Sequence, residues 1–228
     1  MYISRIGTCV FGSLSRDVKG YPMDVYYKHD FKDVVLIPIG SFERHGYHLP
    51  LTTDCITARF FSKLIAEKYG YLLMPAICYS PVSGKYPNTG VRKETFERYL
   101  RDILEDLRRN GVKKVIIVLG HGGPEIKEAI GNALRSSGLE FIAFHILSEL
   151  ENLGIVDQSV DRHAGKWETS LIMFIDEDLV REIRESEEIV GNPREANKEF
   201  GAFLVEKLLE RFEQVKDKKR YISWAEIW

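Results

Sequence analysis

Cysteine is scarce in this chain of 228 residues, which contains only Cys9, Cys55 and Cys78. The three lie far apart and lack the paired spacing of a disulfide framework or a cysteine-based zinc site, so we expect all three to be reduced bystanders. No serine lies in a nucleophile-elbow pattern, and no glycine-rich phosphate loop of the usual kinds is present. The sequence therefore predicts neither a thiol-based site nor a serine hydrolase or P-loop motif.

Excess charge of one sign and long apolar runs are also missing. Lys and Arg total 32 against 34 Asp and Glu, a formal charge of −2, and basic residues gather only in short runs such as Lys216–Arg220. This balance argues against a nucleic-acid partner. No apolar run approaches the roughly 18 residues that cross a bilayer, and the N-terminus lacks the pattern of a secretory leader. We therefore expect a cytoplasmic protein without a membrane partner.

The composition is that of an ordinary soluble domain. It is 44% hydrophobic and 29% charged, so enough apolar side chains are available for a sizeable core. The length predicts a single domain over residues 1–228.

Short apolar segments alternate with segments of helical periodicity. The predicted strands are Lys32–Pro38, Tyr71–Cys78, Lys114–Leu119 and Glu140–Ile146. The first predicted helix is capped by Thr53 or Asp54 and ends near Gly70. The other predicted helices cover Lys93–Asn110, about Glu125–Ser137, Glu168–Phe174 and Ala196–Phe212. This alternation predicts an α/β fold with a mostly parallel central sheet and helices on both faces. Ligands of such sheets bind beyond the carboxyl ends of the strands.

The loop after the first predicted strand is rich in metal-binding side chains. Its sequence, GSFERHGYHLPLTTD, contains Glu43, His45, His48 and Asp54. Carboxylate oxygens and imidazole nitrogens together suit zinc, manganese or iron, and a carboxylate can bridge two such ions. The alternative is that these are surface residues and that Asp54 only caps the following helix.

Two further segments add candidates of the same chemistry. GHGG, at Gly120–Gly123, places His121 directly after the third predicted strand, at the same sheet edge. DRHAGKWETS, at 161–170, contains His163 and Glu168. Each has a simpler explanation, a tight turn with an incidental histidine in one and a capping carboxylate in the other. Four of the six histidines nevertheless fall in these three segments, which favours an enzyme that activates water on a metal.

The three segments resemble the motifs of the creatininase (creatinine amidohydrolase) family. GSFERHGYHLPLTTD is similar to its Gly-Ser-x-Glu-x-His-Gly-x-His-Leu-Pro-x-x-x-Asp signature, GHGG matches its second motif, and HAGKWETS resembles its His-Ala-Gly-x-x-Glu-Thr-Ser motif. The resemblance implies a three-layer α/β/α sandwich that carries two divalent metal ions (Zn, Mn or Fe). It also implies hydrolysis of a small cyclic or linear amide in a homo-oligomer, for which a hexamer is the family expectation.

Carried over by position, the resemblance implies a ligand set. Glu43 and His121 would bind one ion, His45 would bind the other, and Asp54 would bridge them. The enzyme creatininase has a carboxylate two residues after the histidine of the second motif, where this chain has Gly123. A replacement ligand is therefore needed.

We predict that Glu168 is this replacement and also one of the catalytic residues, together with His163. In the expected reaction, metal-bound hydroxide attacks a metal-polarised carbonyl, and His163 delivers a proton to the leaving nitrogen. Pro124 and Lys166 stand where many relatives have Asn and Glu, which predicts altered substrate contacts.

Other functions remain open at this point. Within the family, the alternative is a formylaminopyrimidine nucleotide deformylase of archaeal flavin and deazaflavin biosynthesis, and peptidases that trim a redox-cofactor precursor are also similar. A phosphorylated substrate would need a basic pocket, for which the candidates are Lys85, Arg92, Lys93 and Lys166, unless they are solvated surface charges. The alternative from a different class of function is a noncatalytic metal- or ligand-binding protein. Near the C-terminus, Trp224 and Trp228 are predicted to pack either on a neighbouring subunit or on their own chain.

Overall fold

The computed structural model describes residues 32–224, and their centre is a sheet of five strands in the order β2-β1-β3-β4-β5. The strands are β1 (Val34–Ile39), β2 (Leu72–Leu73), β3 (Lys114–Leu119), β4 (Glu140–His145) and β5 (Arg220–Ile222). The helices are α1 (Thr53–Tyr69), α2 (Lys93–Arg109), α3 (Pro124–Ser136), α4 (Ile146–Asn152), α5 (Lys166–Ile175) and α6 (Lys198–Val215). Every pair of neighbouring strands is parallel. The predicted α/β fold is confirmed.

The helices cover both faces of this sheet. On one face, alternate residues of the strands, such as Val35 and Ile117, pack against α2 and α3 in one apolar core. On the other face, Phe61 of α1 stacks on Phe144 of β4 with ring centroids 5.4 Å apart, and Phe144 meets Phe212 of α6 at 5.7 Å. The three layers of the predicted sandwich follow from this arrangement.

Most elements lie within a few residues of their predicted bounds, and the exceptions are informative. The predicted strand Tyr71–Cys78 pairs only over Leu72–Leu73, with one further bridge from Ile77 to Ile39. The sequence analysis gave no element for α4 or β5. Helix α4 has seven residues and strand β5 has three, and segments this short carry too little periodicity to be recognised.

The prediction that all cysteines are reduced is wrong for two of them. Cys55 and Cys78 form a disulfide with Cα atoms 5.8 Å apart, within the usual range for this bond. Cys55 lies in the first turn of α1, and Cys78 directly follows the bridge residue Ile77. The parallel topology brings these segments together at one sheet edge, although 23 residues separate them in sequence. Cys9 lies outside the described residues.

Two further predictions concern the ends of the chain. The described residues belong to one compact unit, and the predicted single domain over 1–228 stays a prediction because residues 1–31 lie outside them. Trp224 packs on its own chain, against the core beneath α2 and α3 and with its ring edge-on to His145, whereas Trp228 lies outside the described residues. Within residues 32–224, no helix is long and apolar enough to cross a bilayer.

Candidate metal centre

Three loops that are distant in sequence meet at the carboxyl edge of the sheet. The first loop follows β1, the second follows β3 and the third precedes α5. The side chains that they bring together are those of Glu43, His45, Asp54, His121 and Glu168, and none of these residues exposes more than 9% of its surface. They form two overlapping sets, Glu43–Asp54–His121 and His45–Asp54–Glu168, in which the donor atoms of each set lie within 4.8 Å of one another. Asp54 belongs to both sets.

Asp54 holds the centre of the cluster. Its Oδ1 lies 3.1 Å from His45 Nε2, and its Oδ2 lies 3.2 Å from His121 Nδ1. Ser41 Oγ donates a hydrogen bond of 2.6 Å to the same Oδ2. The N-cap position of α1 is Thr52, so neither Thr53 nor Asp54 caps the helix as predicted. The carboxylate of Asp54 is instead engaged in the cluster. The sequence analysis missed Ser41, although it lies in the first motif directly after β1 and Gly40.

The two glutamates lie beside different histidines. Glu43 Oε1 lies 2.8 Å from His121 Nδ1, whereas Glu168 Oε1 lies 3.7 Å from His45 Nε2. The second oxygen of Glu168 accepts a hydrogen bond from the backbone N–H of Ala164. Glu168 is therefore placed beside His45, where the sequence analysis required a replacement ligand.

The buried acidic and imidazole groups of this cluster shift one another's pKa values. Burial would lower the pKa of His45, but Asp54 and Glu168 outweigh it and hold that pKa well above its usual value. Burial likewise opposes protonation of His121, yet Asp54 and Glu43 raise its pKa to about 10. Burial would raise the pKa of Asp54, but the two histidines keep it well below its usual range. Three buried carboxylates thus demand compensating positive charge, and their oxygens with two imidazoles are a donor set that suits divalent zinc, manganese or iron.

Gly123 occupies the position at which creatininase has a carboxylate. A Cβ added there would lie 2.6 Å from His121 Nε2, closer than such atoms approach. A larger residue at this position would therefore require the His121 ring to move. In this chain the His121 ring occupies the space next to Gly123 that a side chain there would need.

Two other glycines press directly on the backbone of Asp54 and its neighbour. A Cβ on Gly40, which ends β1, would lie 2.4 Å from the Cys55 nitrogen. A Cβ on Gly120, which ends β3, would lie 2.2 Å from the Asp54 carbonyl oxygen. Both glycines thus allow the ends of β1 and β3 to approach the start of α1 closely.

Replacing Gly120 with alanine should therefore displace Asp54. We expect a loss of about 1–3 kcal/mol in the free energy of unfolding, as for other overpacked positions, and weaker retention of metal. The matched control is Gly131→Ala, because Gly131 lies inside α3, where its added Cβ meets only the end of the Arg135 side chain, at 3.1 Å. Thermal unfolding and metal analysis of both variants test this, and wild-type values for Gly120→Ala would show that the contact is not restrictive.

His163 lies beside the cluster. Its ring centroid is 4.3 Å from that of His45, and one ring nitrogen lies within 4.8 Å of donor atoms of Glu43 and His45. His163 Nε2 lies 2.8 Å from the Arg44 carbonyl oxygen. Because a carbonyl only accepts, Nε2 carries a proton, and Nδ1 is the atom left to accept one. The backbone of His163 is fixed by two hydrogen bonds with Val190.

The remaining histidines of this edge are buried and stand apart from the donor sets. His48 is fully buried, not a surface residue, and its Nε2 lies 3.1 Å from Thr169 Oγ1. His145 was left out of the predicted clusters, yet it ends β4 at the same edge and is fully buried. Burial holds the pKa of His145 well below its usual value, and its Nδ1 bonds with Ser148.

The four cationic side chains considered for a phosphate pocket have separate partners or are exposed. Lys93 Nζ lies 2.9 Å from Glu128 on α3, whereas Lys166 Nζ lies 3.8 Å from Glu195 and over the ring of Phe200. Lys85 and Arg92 are exposed. The two lysines thus pair with carboxylates of different elements, as expected for surface charges.

A three-layer sandwich with buried carboxylates and imidazoles at the carboxyl edge of its sheet defines an α/β protein with a candidate metal centre. The profile of the creatininase family, creatinine amidohydrolase, matches residues 24–215, and the chain belongs to this family. The predicted resemblance is confirmed.

Three relatives with different named activities illustrate the similarity. The chain is 27% identical to a creatinine amidohydrolase of Pseudomonas putida, over 64% of this chain and 66% of that protein. It is 30% identical to a mycofactocin precursor peptide peptidase of Mycobacterium ulcerans, over 64% and 60%. It is 27% identical to a 2-amino-5-formylamino-6-ribosylaminopyrimidin-4(3H)-one 5'-monophosphate deformylase of Methanothermobacter thermautotrophicus, over 62% and 58%. The chain thus spans between 58% and 66% of the length of these relatives.

Solved structures show the same fold. A creatininase in a manganese form matches with a TM-score of 0.69 at 20% identity, over 81% of this chain and 90% of that one. A candidate creatinine amidohydrolase from Bacteroides fragilis matches with a TM-score of 0.69 at 23% identity, over 88% and 94%. A creatininase variant in a zinc form gives the same TM-score of 0.69, at 20% identity over 81% and 90%.

Proposed function

We propose that this protein is a metal-dependent amidohydrolase that cleaves a carbon–nitrogen bond of a small cyclic or linear amide. The observation that carries the proposal is the pair of overlapping donor sets that share Asp54, buried at the carboxyl edge of a parallel sheet. Membership of a family that includes amide-hydrolysing relatives supports the same reaction class. A scaffold without chemistry would have no need for five buried donors in one cluster.

Two divalent ions fit this donor set. Glu43, Asp54 and His121 would hold one, and His45, Asp54 and Glu168 would hold the other. Bound ions supply water of lowered pKa and polarise a carbonyl group. Zinc, manganese or iron suits the ligands, and the zinc and manganese forms of creatininase agree with this chemistry.

The chain orients its own ligands before any ion binds. His45 Nδ1 lies 3.1 Å from the Glu43 carbonyl oxygen and donates to it, which leaves Nε2 as the ligand atom facing Asp54. The hydrogen bond from Ser41 fixes the rotation of the Asp54 carboxylate. Such supporting contacts typically change metal affinity by about 10–100-fold when removed.

His163 is the proposed general acid and base. Its Nε2 proton is committed to the Arg44 carbonyl, so Nδ1 would accept the proton released by the attacking water and pass it to the leaving nitrogen. Glu168 is proposed as both a ligand and a catalytic group. His163 is half-buried, unlike the fully enclosed His45 beside it.

The setting of the enzyme is also a proposal. We place it in the cytoplasm as a homo-oligomer, for which the family expectation is a hexamer, acting on a small-molecule substrate without a nucleic-acid or membrane partner. Deformylation of a formamide is the alternative reaction within the same class, and the similarity to an archaeal deformylase favours testing it.

The test is a substrate panel with the fully metal-loaded protein. Creatinine, small lactams, linear amides, formamides and short peptides are each incubated, and ammonia, amine, formate and amino-acid release are measured separately. We expect turnover in one of the amide or formamide groups, and loss of it after chelation. No turnover anywhere in the panel with both ions bound would overturn the enzyme assignment in favour of a noncatalytic metal- or ligand-binding protein.

A further inference from the structure

His48 is a buried polar residue that the proposed reaction leaves without a task. It is fully buried and lies in the loop that supplies Glu43 and His45, but it belongs to neither donor set. Its Nε2 lies 3.1 Å from Oγ1 of Thr169, 121 residues away in the sequence. This hydrogen bond joins the loop after β1 to helix α5, which carries Glu168.

The contacts of His48 fall on both sides of Glu168. Thr169 is the next residue in α5, and its own backbone N–H donates to the Gly165 carbonyl at 3.2 Å. On the other side is Ala164, whose backbone N–H donates to Glu168 Oε2. Burial lowers the pKa of His48, while the adjacent backbone of Ala164 acts in the opposite direction, so Ala164 also borders the ring.

Ala164 has a backbone conformation that needs support. Its φ of 50° lies in the left-handed region, the only positive φ of a non-glycine residue in the described part of the chain. An alanine in that region is uncommon and persists where surrounding contacts fix it. The N–H that this conformation presents is the one that Glu168 accepts.

We propose that His48 is a positioning residue that fixes Glu168, through Thr169 and the Ala164 turn, as a ligand of the second metal ion. This inference rests on the proposed dinuclear centre. Loss of His48 should weaken the binding of only one ion. The ion held by Glu43, Asp54 and His121 has no ligand in α5, whereas the ion held with His45 depends on Glu168.

The chain makes room for this ring. A Cβ on Gly46 would lie 2.7 Å from His48 Nδ1, and Gly46 itself has a φ of 70°. The backbone carbonyl of His48 accepts a hydrogen bond of 2.9 Å from the N–H of Arg181. Backbone and ring are thus both fixed, which a residue that only fills space would not require.

The experiment compares metal retention in zinc-loaded wild-type protein and variants. Thr169→Val removes the hydroxyl that His48 bonds while keeping the shape of the side chain, and His48→Phe removes the bond from the other side. His48→Gln restores a polar partner. His145→Phe is the matched control, because His145 is an equally buried histidine at the same sheet edge whose side-chain partner is Ser148. Each protein is challenged with a zinc chelator at graded concentrations, and the zinc retained per chain is measured. A circular dichroism spectrum of each protein is recorded as well.

We expect Thr169→Val and His48→Phe to hold the second zinc about 10–100-fold more weakly, as for other residues that orient a ligand, with the first zinc within threefold of wild type. His48→Gln should recover part of the affinity, and His145→Phe should retain both ions. In the double variant, the loss should be no larger than in either single variant.

Equal loss of both ions in Thr169→Val, or wild-type retention of both, would overturn the inference. Thr169→Val decides the question even where His48→Phe fails to fold, because it changes one methyl-sized group. A wild-type chain that never retains a second zinc is a separate result, which would overturn the proposed dinuclear centre itself.

Discussion

Replacing Asp54 with alanine should remove most of the metal from the chain and abolish turnover. Asp54 is the one residue common to both donor sets, and each of its oxygens lies within 3.2 Å of a different histidine. Its loss also leaves His45 and His121 without the carboxylate that chiefly compensates their charge. We expect metal content to fall from near two ions per chain to well below one, a larger effect than the 10–100-fold loss typical of a supporting contact.

Elemental analysis of purified Asp54→Ala after dialysis measures this directly. The matched control is Asp102→Ala, which removes an exposed carboxylate from α2 and should leave metal content and turnover unchanged. Near-normal metal content in Asp54→Ala would show that Asp54 is a structural residue of α1 and not a shared ligand.

Replacing His163 with alanine should lower turnover by about 10² to 10⁴, the usual cost of a lost proton-transfer group, while metal content stays the same. The ring of His163 lies beside that of His45 at a tilt of 40°, and its Nε2 is occupied by the Arg44 carbonyl, so the ring is held in place and Nδ1 is left to carry protons. The expected split between rate and metal content distinguishes a proton carrier from a ligand.

Two results would change this assignment. Full turnover of His163→Ala with both ions bound would remove His163 from the mechanism. A loss of metal would instead make His163 a ligand together with Glu43 and His45, with which it forms a third compact set of donor atoms. Addition of free imidazole to the variant gives a further check, since it should restore part of the rate only if His163 is a proton carrier.

The features that the sequence made predictable are those with local causes. The uniformly apolar run of β3 predicts a buried strand, and residues that follow β1 and β3 must share an edge when the strands are parallel, so the approach of Glu43 to His121 could be foreseen. The position of Glu168 came from a family resemblance, and its geometry depends on the Ala164 turn, which no periodicity encodes.

Other features depend on tertiary packing and could not be predicted from local patterns. The Cys55–Cys78 pair arises only because the start of α1 and the segment after β2 meet at one edge. Gly120 lies against the Asp54 carbonyl, which belongs to a distant segment of the sequence, so no local pattern indicates this contact. Strand β5 joins the sheet over three residues through its pairing with β4, without a sequence pattern of its own.

The most direct test of the shared metal centre is anomalous diffraction from crystals of the zinc-loaded protein. We expect one peak on each side of the Asp54 carboxylate, the first in contact with Glu43 and His121 and the second in contact with His45 and Glu168. Zinc bound away from Asp54, or coordinates in which the Glu168 carboxylate does not reach an ion beside His45, would contradict this expectation.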